Sequence, residues 1–137
     1  MALQFSVGVR NAILDAIEAA VGATAVLKIY DLTAGAPTDT SAAITATTLV
    51  TMTLPSDWMV AASRGSKAKS GTWQDTSADA TGTADFFRLF ASDGTTCHAQ
   101  GTVTVTGGGG DMTVDNASIV AAQSVTITGF TLTAPHS

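Results

Sequence analysis

The chain has 137 residues, enough to enclose one hydrophobic core and too few for two of ordinary size, which predicts a single domain over 1-137. Eleven acidic against six basic residues leave a formal charge of -5, which argues against binding a phosphate backbone, since counterion release needs clustered Lys and Arg. Charged residues are only 12% of the chain, half the usual share of about 25%, so the surface must be solubilised mainly by Thr, Ser, Asn and Gly.

The first element is an amphipathic helix over about 5-21. Phe5, Val9, Ile13, Ile17 and Val21 recur every four residues, with Leu14 beside them and Arg10, Asn11, Asp15 and Glu18 on the opposite side. Ser6 is placed to cap its start, and Gly22 to end it. A helix packed on its own sheet and a partner-binding helix share this pattern; the plain reading is that the apolar stripe packs inward.

Strands follow over about 25-134. Ala25 to Tyr30 reads as the first, Asp31 to Thr47 as a long surface loop, and Thr48 to Leu54 as the second, with Val50, Met52 and Leu54 on one face. Pro55, Ser56 and Asp57 mark a turn leading into a short helical turn at Trp58 and Met59. Ala61 to Gly82 is rich in small residues and reads as loop with one short strand near Thr72 to Gln74.

Thr83 to Ser92 carries Phe86, Phe87, Leu89 and Phe90 and reads as a central strand covered on both faces. Asp93-Gly94 supplies a tight turn, and Thr96 to Thr106 returns as the hairpin partner. Gly107 to Gly110 reads as a flexible hairpin tip before a short strand at Met112 to Val114 and a turn at Asp115-Asn116. In the last strand, Gln123 to Thr133, the apolar phase slips from Val125 and Ile127 to Phe130 and Leu132, which predicts a β-bulge at Gly129. Thr102, Thr104 and Thr106, with Thr126 and Thr128, line the opposite faces with hydroxyls. The fold class predicted is mainly β, an antiparallel sandwich or jelly-roll with one N-terminal helix.

Groups able to do chemistry are sparse. Cys97 is alone, so neither a disulfide framework nor a cysteine metal site is expected, and a reducing cytoplasm suits the chain. No run is apolar enough to predict a signal peptide or a membrane span. Ser66 and Lys69 match a serine-x-x-lysine element, but its companion motifs are missing. His98 could serve a small hydrolase, although no Gly-x-Ser-x-Gly elbow accompanies it. Asp75, Asp79 and Asp85 lack the spacing of a calcium loop, and Asn116-Ala117-Ser118 fits a glycosylation sequon. Trp58 and Trp73 could form a platform for sugar rings, as in carbohydrate-binding modules, or serve as core anchors. No catalytic residue, cofactor or metal is predicted.

Three stretches together carry a resemblance: Met1-Ala2-Leu3-Gln4-Phe5-Ser6-Val7 leading into Arg10-Asn11, Leu54-Pro55-Ser56-Asp57-Trp58-Met59, and Phe87-Arg88-Leu89-Phe90 through Asp93-Gly94 to Gln100-Gly101-Thr102-Val103. The combination resembles small virion structural proteins of tailed bacteriophages and prophages. The resemblance implies a non-enzymatic part of the particle, assembled in the host cytoplasm. A capsid decoration or cement protein is the leading reading, and a tail, neck or fibre component is the alternative. Its partners would be capsid or other virion proteins and further copies of itself, with no nucleic acid and no membrane. The candidate interface residues are Arg10, Asp15 and Glu18 on the helix, Asp31 and Asp39 in the long loop, and Arg64, Lys67 and Lys69.

Overall fold

The computed structural model describes residues 1-137 as one helix followed by nine strands: α1 (Val7–Val21), β1 (Val26–Asp31), β2 (Thr48–Thr53), β3 (Ser66–Ala68), β4 (Gln74–Asp75), β5 (Gly82–Phe90), β6 (Cys97–Val105), β7 (Met112–Val114), β8 (Ser118–Ile119) and β9 (Val125–Thr133). The helix is bounded as its end residues dictate. Ser6 Oγ accepts the Val9 N–H at 3.2 Å, and Gly22, at φ 90°, donates its own N–H to the Glu18 carbonyl at 2.9 Å. No helix is long and apolar enough to cross a membrane.

The strands form one curled sheet in the order β2-β1-β5-β6-β7-β9-β3, with β4 added to β9 and β8 to β5. The protein is mainly β with one helix, as predicted. The expectation of wholly antiparallel pairing is corrected at β6 and β7, which run parallel with Val103 opposite Met112 and Val105 opposite Val114. Parallel neighbours ordinarily need a crossover of about a dozen residues. Here Gly107 to Gly110 make the return in far less. Gly107 and Gly109 adopt φ of +85° and +83°, while a Cβ on Gly108 or Gly110 would lie 2.7 or 2.9 Å from Thr104. The four glycines are therefore the fold-back between parallel strands, not a hairpin tip.

At β9 the predicted bulge is present. Gly129 pairs with Thr113 and Ile127 with Val114, leaving Thr128 as the extra residue. Val125, Ile127 and Phe130 thereby share one buried cluster, and Leu132 packs against it. The hydroxyl rows stay on the outside, where Thr128 Oγ1 lies 2.7 Å from Thr106 Oγ1 and 2.9 Å from Thr113 Oγ1.

The curl brings β4 against β2. Asp75 Oδ2 accepts the Thr51 N–H at 3.3 Å, Asp79 Oδ2 accepts the Thr51 hydroxyl at 2.8 Å, and the Asp79 N–H donates to the Leu49 carbonyl at 2.7 Å. These bonds occupy an edge strand that would otherwise invite pairing. β5 is covered on both faces, as predicted. Phe87 and Leu89 enter the core, while Arg88, also buried, donates to the carbonyls of Asp39 and Ala42 at 2.9 and 2.8 Å and pins the long loop across the sheet. The sequence reading misses β3 and β8, which are too short for a period to show. The helical turn predicted at Trp58 and Met59 does not form; Met59 bridges Lys69 in an antiparallel pair instead.

Candidate functional site

The helix docks on a hairpin whose turn is Arg64-Gly65. Ser63 and Ser66 exchange both backbone hydrogen bonds, at 2.9 and 3.0 Å, and Arg64 and Gly65 have φ of 54° and 75°. Two consecutive left-handed residues make this a type I′ turn. Its inner side offers unpaired N–H groups, and α1 supplies their acceptors. Asn11 Oδ1 accepts from Gly65 N–H at 2.8 Å and Asp15 Oδ1 from Ala62 N–H at 3.1 Å.

Lys67, in β3, has a side chain only 3% exposed, with its ammonium 2.7 Å from Asp15 Oδ1 and 2.8 Å from Glu18 Oε2. Burial alone would lower the Lys67 pKa, but the hydrogen bonds to Asp15 and Glu18 outweigh it and hold the ammonium above its ordinary value. The same hydrogen bond from Lys67 holds the Asp15 carboxyl below its ordinary value. Arg10 lies flat over Gly65 and donates from Nη2 to the Ala134 carbonyl at 3.1 Å. Leu14 and Val21 complete the contact as buried apolar residues.

The helix is therefore rotated from the predicted orientation, with its polar side turned inward beside Leu14 and Val21. Of the expected apolar side Val21 and the adjacent Leu14 are buried and Phe5 is half-buried, while Val9, Ile13 and Ile17 are 46%, 36% and 38% exposed. The balance of magnitudes explains the choice. These three side chains are already more than half covered, so turning them inward would add about 1 kcal/mol each. The same rotation would leave the Ala62 and Gly65 N–H groups, the Ala134 carbonyl and a buried ammonium unpaired, at about 1–3 kcal/mol for each group. Polar docking wins. What it leaves outside is an uncharged arc of Val9, Ala12, Ile13, Ala16, Ile17 and Ala20, all exposed.

Of the other candidates, Asp31, Asp39 and Lys69 make contacts within the chain. Asp31 is buried and closes the long loop by accepting from the Thr33 hydroxyl at 2.8 Å and the Thr47 N–H at 3.0 Å. The Asp39 carboxylate accepts from the Ser41 N–H and hydroxyl and from the Ala42 N–H. Lys69 donates to the Gly71 carbonyl at 2.9 Å and sits 5.8 Å above the Trp73 ring. Arg64 is exposed at the tip of its turn. Of the candidate interface residues, Arg10, Asp31 and Lys67 are buried, and Asp15 and Glu18 are paired with Lys67.

The sugar-platform reading of Trp58 and Trp73 is corrected as well. They are 0% and 1% exposed, their rings lie 6.0 Å apart, and their indole N–H groups donate to the Gly22 and Ser70 carbonyls. Ser66 stands in a strand, not at the start of a buried helix, so the serine-x-x-lysine match lacks its setting. His98 is exposed on β6, and His136 packs edge-on against Phe5 at 5.3 Å. A shallow groove of about 550 Å3 runs between α1 and residues 56-61, and its walls include Asp15, Glu18 and Lys67, already paired with one another. The outer arc of α1 carries Val9, Ile13 and Ile17 of the apolar stripe read from the sequence, for which packing inward was preferred to a partner-binding face.

No protein-family model, curated protein or solved structure matches the chain. Its function must be argued from this arrangement.

Proposed function

We propose that the protein is a non-enzymatic structural component of a tailed-phage particle, a decoration protein seated on the outer surface of the head. The observation that carries this reading is the outward apolar arc of α1. A surface of methyl groups without a titratable side chain can exclude water from a contact but cannot polarise or transfer a proton. The buried cations support the same view, because Lys67 and Arg88 are spent on internal carboxylates and carbonyls. Weak contacts of this kind gain strength when repeated over a lattice. The virion setting comes from the three stretches that resemble phage structural proteins.

The reading is tested by locating the chain in purified particles with electron microscopy. Hundreds of copies on the head are expected. A few copies at one vertex would move the protein to the neck or tail, and absence from the particle would overturn the assignment.

A further inference from the structure

We propose that residues 32-47 form a latched strap, which swings off the sheet as one unit while the core stays folded. Its position decides whether an aromatic and cationic surface is covered or open. The virion setting plays no part in this. None of residues 32-47 is buried, and residues 32-46 make no backbone hydrogen bond to any strand. The strap therefore lacks the two holds that ordinarily fix a segment, a side chain sunk in the core and a strand ladder.

Hydrogen bonds close it at two places only. At the neck, the Asp31 N–H donates to the Thr47 carbonyl at 3.0 Å, and Asp31 Oδ1 accepts the Thr33 hydroxyl at 2.8 Å and the Thr47 N–H at 3.0 Å. In the middle, Arg88 Nη2 donates to the Asp39 and Ala42 carbonyls at 2.9 and 2.8 Å, and Gln100 Nε2 donates to the Pro37 carbonyl at 2.9 Å. Arg88 and Gln100 act as one latch, since they face each other across β5 and β6 and Arg88 Nε donates to Gln100 Oε1 at 3.1 Å. The neck shares no group with the latch, so it stays shut as the hinge when the latch releases.

Phe86 and Arg88 stand two apart on β5, on the face opposite Phe87 and Leu89, which enter the core. Tyr30 is the register partner of Phe86 and stacks on it at 4.9 Å and 16°. The pair thus lies between the neck at Asp31 and the latch at Arg88. Tyr30 and Phe86 are 3% and 1% exposed yet stand outside the main core cluster, so uncovering them leaves that cluster intact. Arg88 is buried without a salt bridge, and its hydrogen bonds to strap carbonyls are ones that water replaces once the strap lifts.

Tyr30 is the only tyrosine in the chain, so its nitration by tetranitromethane reads the opening directly. The full chain is used with Cys97→Ser, which removes the competing thiol. Nitration is expected to outpace global unfolding and to be nearly independent of low urea, because lifting the strap exposes little surface. Arg88→Lys, which loses the two-carbonyl fork, should speed nitration about tenfold, and Gln100→Ala by a smaller factor. Leu14→Ala, which weakens the fold at the helix and not at the strap, should leave the rate unchanged. Gln100 is half-buried, so its variant keeps the test open should Arg88→Lys fail to fold. Nitration that climbs with urea in parallel with unfolding, or that Leu14→Ala speeds as much as Arg88→Lys, overturns the strap, because Tyr30 would then be reached only by unfolding the sheet. A rate unchanged in both Arg88→Lys and Gln100→Ala overturns the latch.

Discussion

Gly65 meets two demands at once, and neither is visible in its neighbours. Its φ of +75° suits a type I′ turn, and a Cβ there would stand 2.3 Å from the Arg10 guanidinium carbon. Arg10 cannot easily move aside, because it is buried and tethered to the Ala134 carbonyl. Its Nε has no hydrogen-bond partner, so packing over Gly65 is part of what holds the group. Gly65→Ala should therefore cost about 1–3 kcal/mol in urea unfolding. The double variant with Arg10→Ala should cost less than the sum of the two single changes, because removing the guanidinium clears the collision. Gly129 is the contrasting case: the phase slip around it could be read directly, since the bulge serves residues adjacent in the chain. Gly65 was only one more small residue in a polar loop, because its partner lies 55 positions upstream.

The limits of α1 were readable and its orientation was not. Ser6 and Gly22 are local signals, and local hydrogen bonds satisfy them. The face that packs was chosen instead by Ala62, Gly65 and Lys67, whose needs outweigh the remaining exposed area of three aliphatic side chains. A paired substitution separates the two orientations. Leu14→Ala should destabilise the protein by about 2–4 kcal/mol, as for a buried leucine, whereas Ile17→Ser should stay within about 1 kcal/mol. Both are to be measured by chemical denaturation at low micromolar concentration, where association contributes least. A helix packed by its aliphatic stripe would reverse that order. The same lesson holds for β7. Its three residues were recognised, but their direction was set by how tightly four glycines fold against Thr104.

Across the molecule, acidic groups fasten the connections. Hydrogen bonds hold four of them below the ordinary carboxylate value: Asp15 by Lys67, Asp31 by the Thr33 hydroxyl, Asp39 by the Ser41 hydroxyl, and Asp93 by the Thr96 hydroxyl, the last down to about 2. A carboxyl with a depressed folded-state pKa contributes stability that is present above its unfolded value, near 3.9, and is lost as pH falls through the folded one. Lys67, raised, acts in the opposite sense: its contribution is present below its unfolded value, near 10.4, and is lost as pH rises through the folded one. Denaturation midpoints should thus be level between about pH 5 and 8, decline above that as the Cys97 thiol, held up by burial, ionises more readily in the unfolded chain, and fall steadily below about pH 4, with the Asp93 hairpin the last to titrate. Midpoints that held constant down to about pH 2 would show that these carboxylates are not paired in solution.

Composition and short-range pattern were enough to establish a β-rich chain with one capped helix, a Phe-rich central strand, an Asp-Gly hairpin and a bulge at Gly129. Each depends on residues within a few positions of one another, where backbone preference and alternation act directly. Pairing over long range settled the rest: the parallel β6-β7 step, the closure of β2 by Asp75 and Asp79, the burial of Trp58, Trp73 and Lys67, and the turning of α1. In every one of these a polar or bulky group had to be satisfied by a segment distant in the chain, and the cost of leaving it unpaired or uncovered outweighed the preference written in its own neighbourhood.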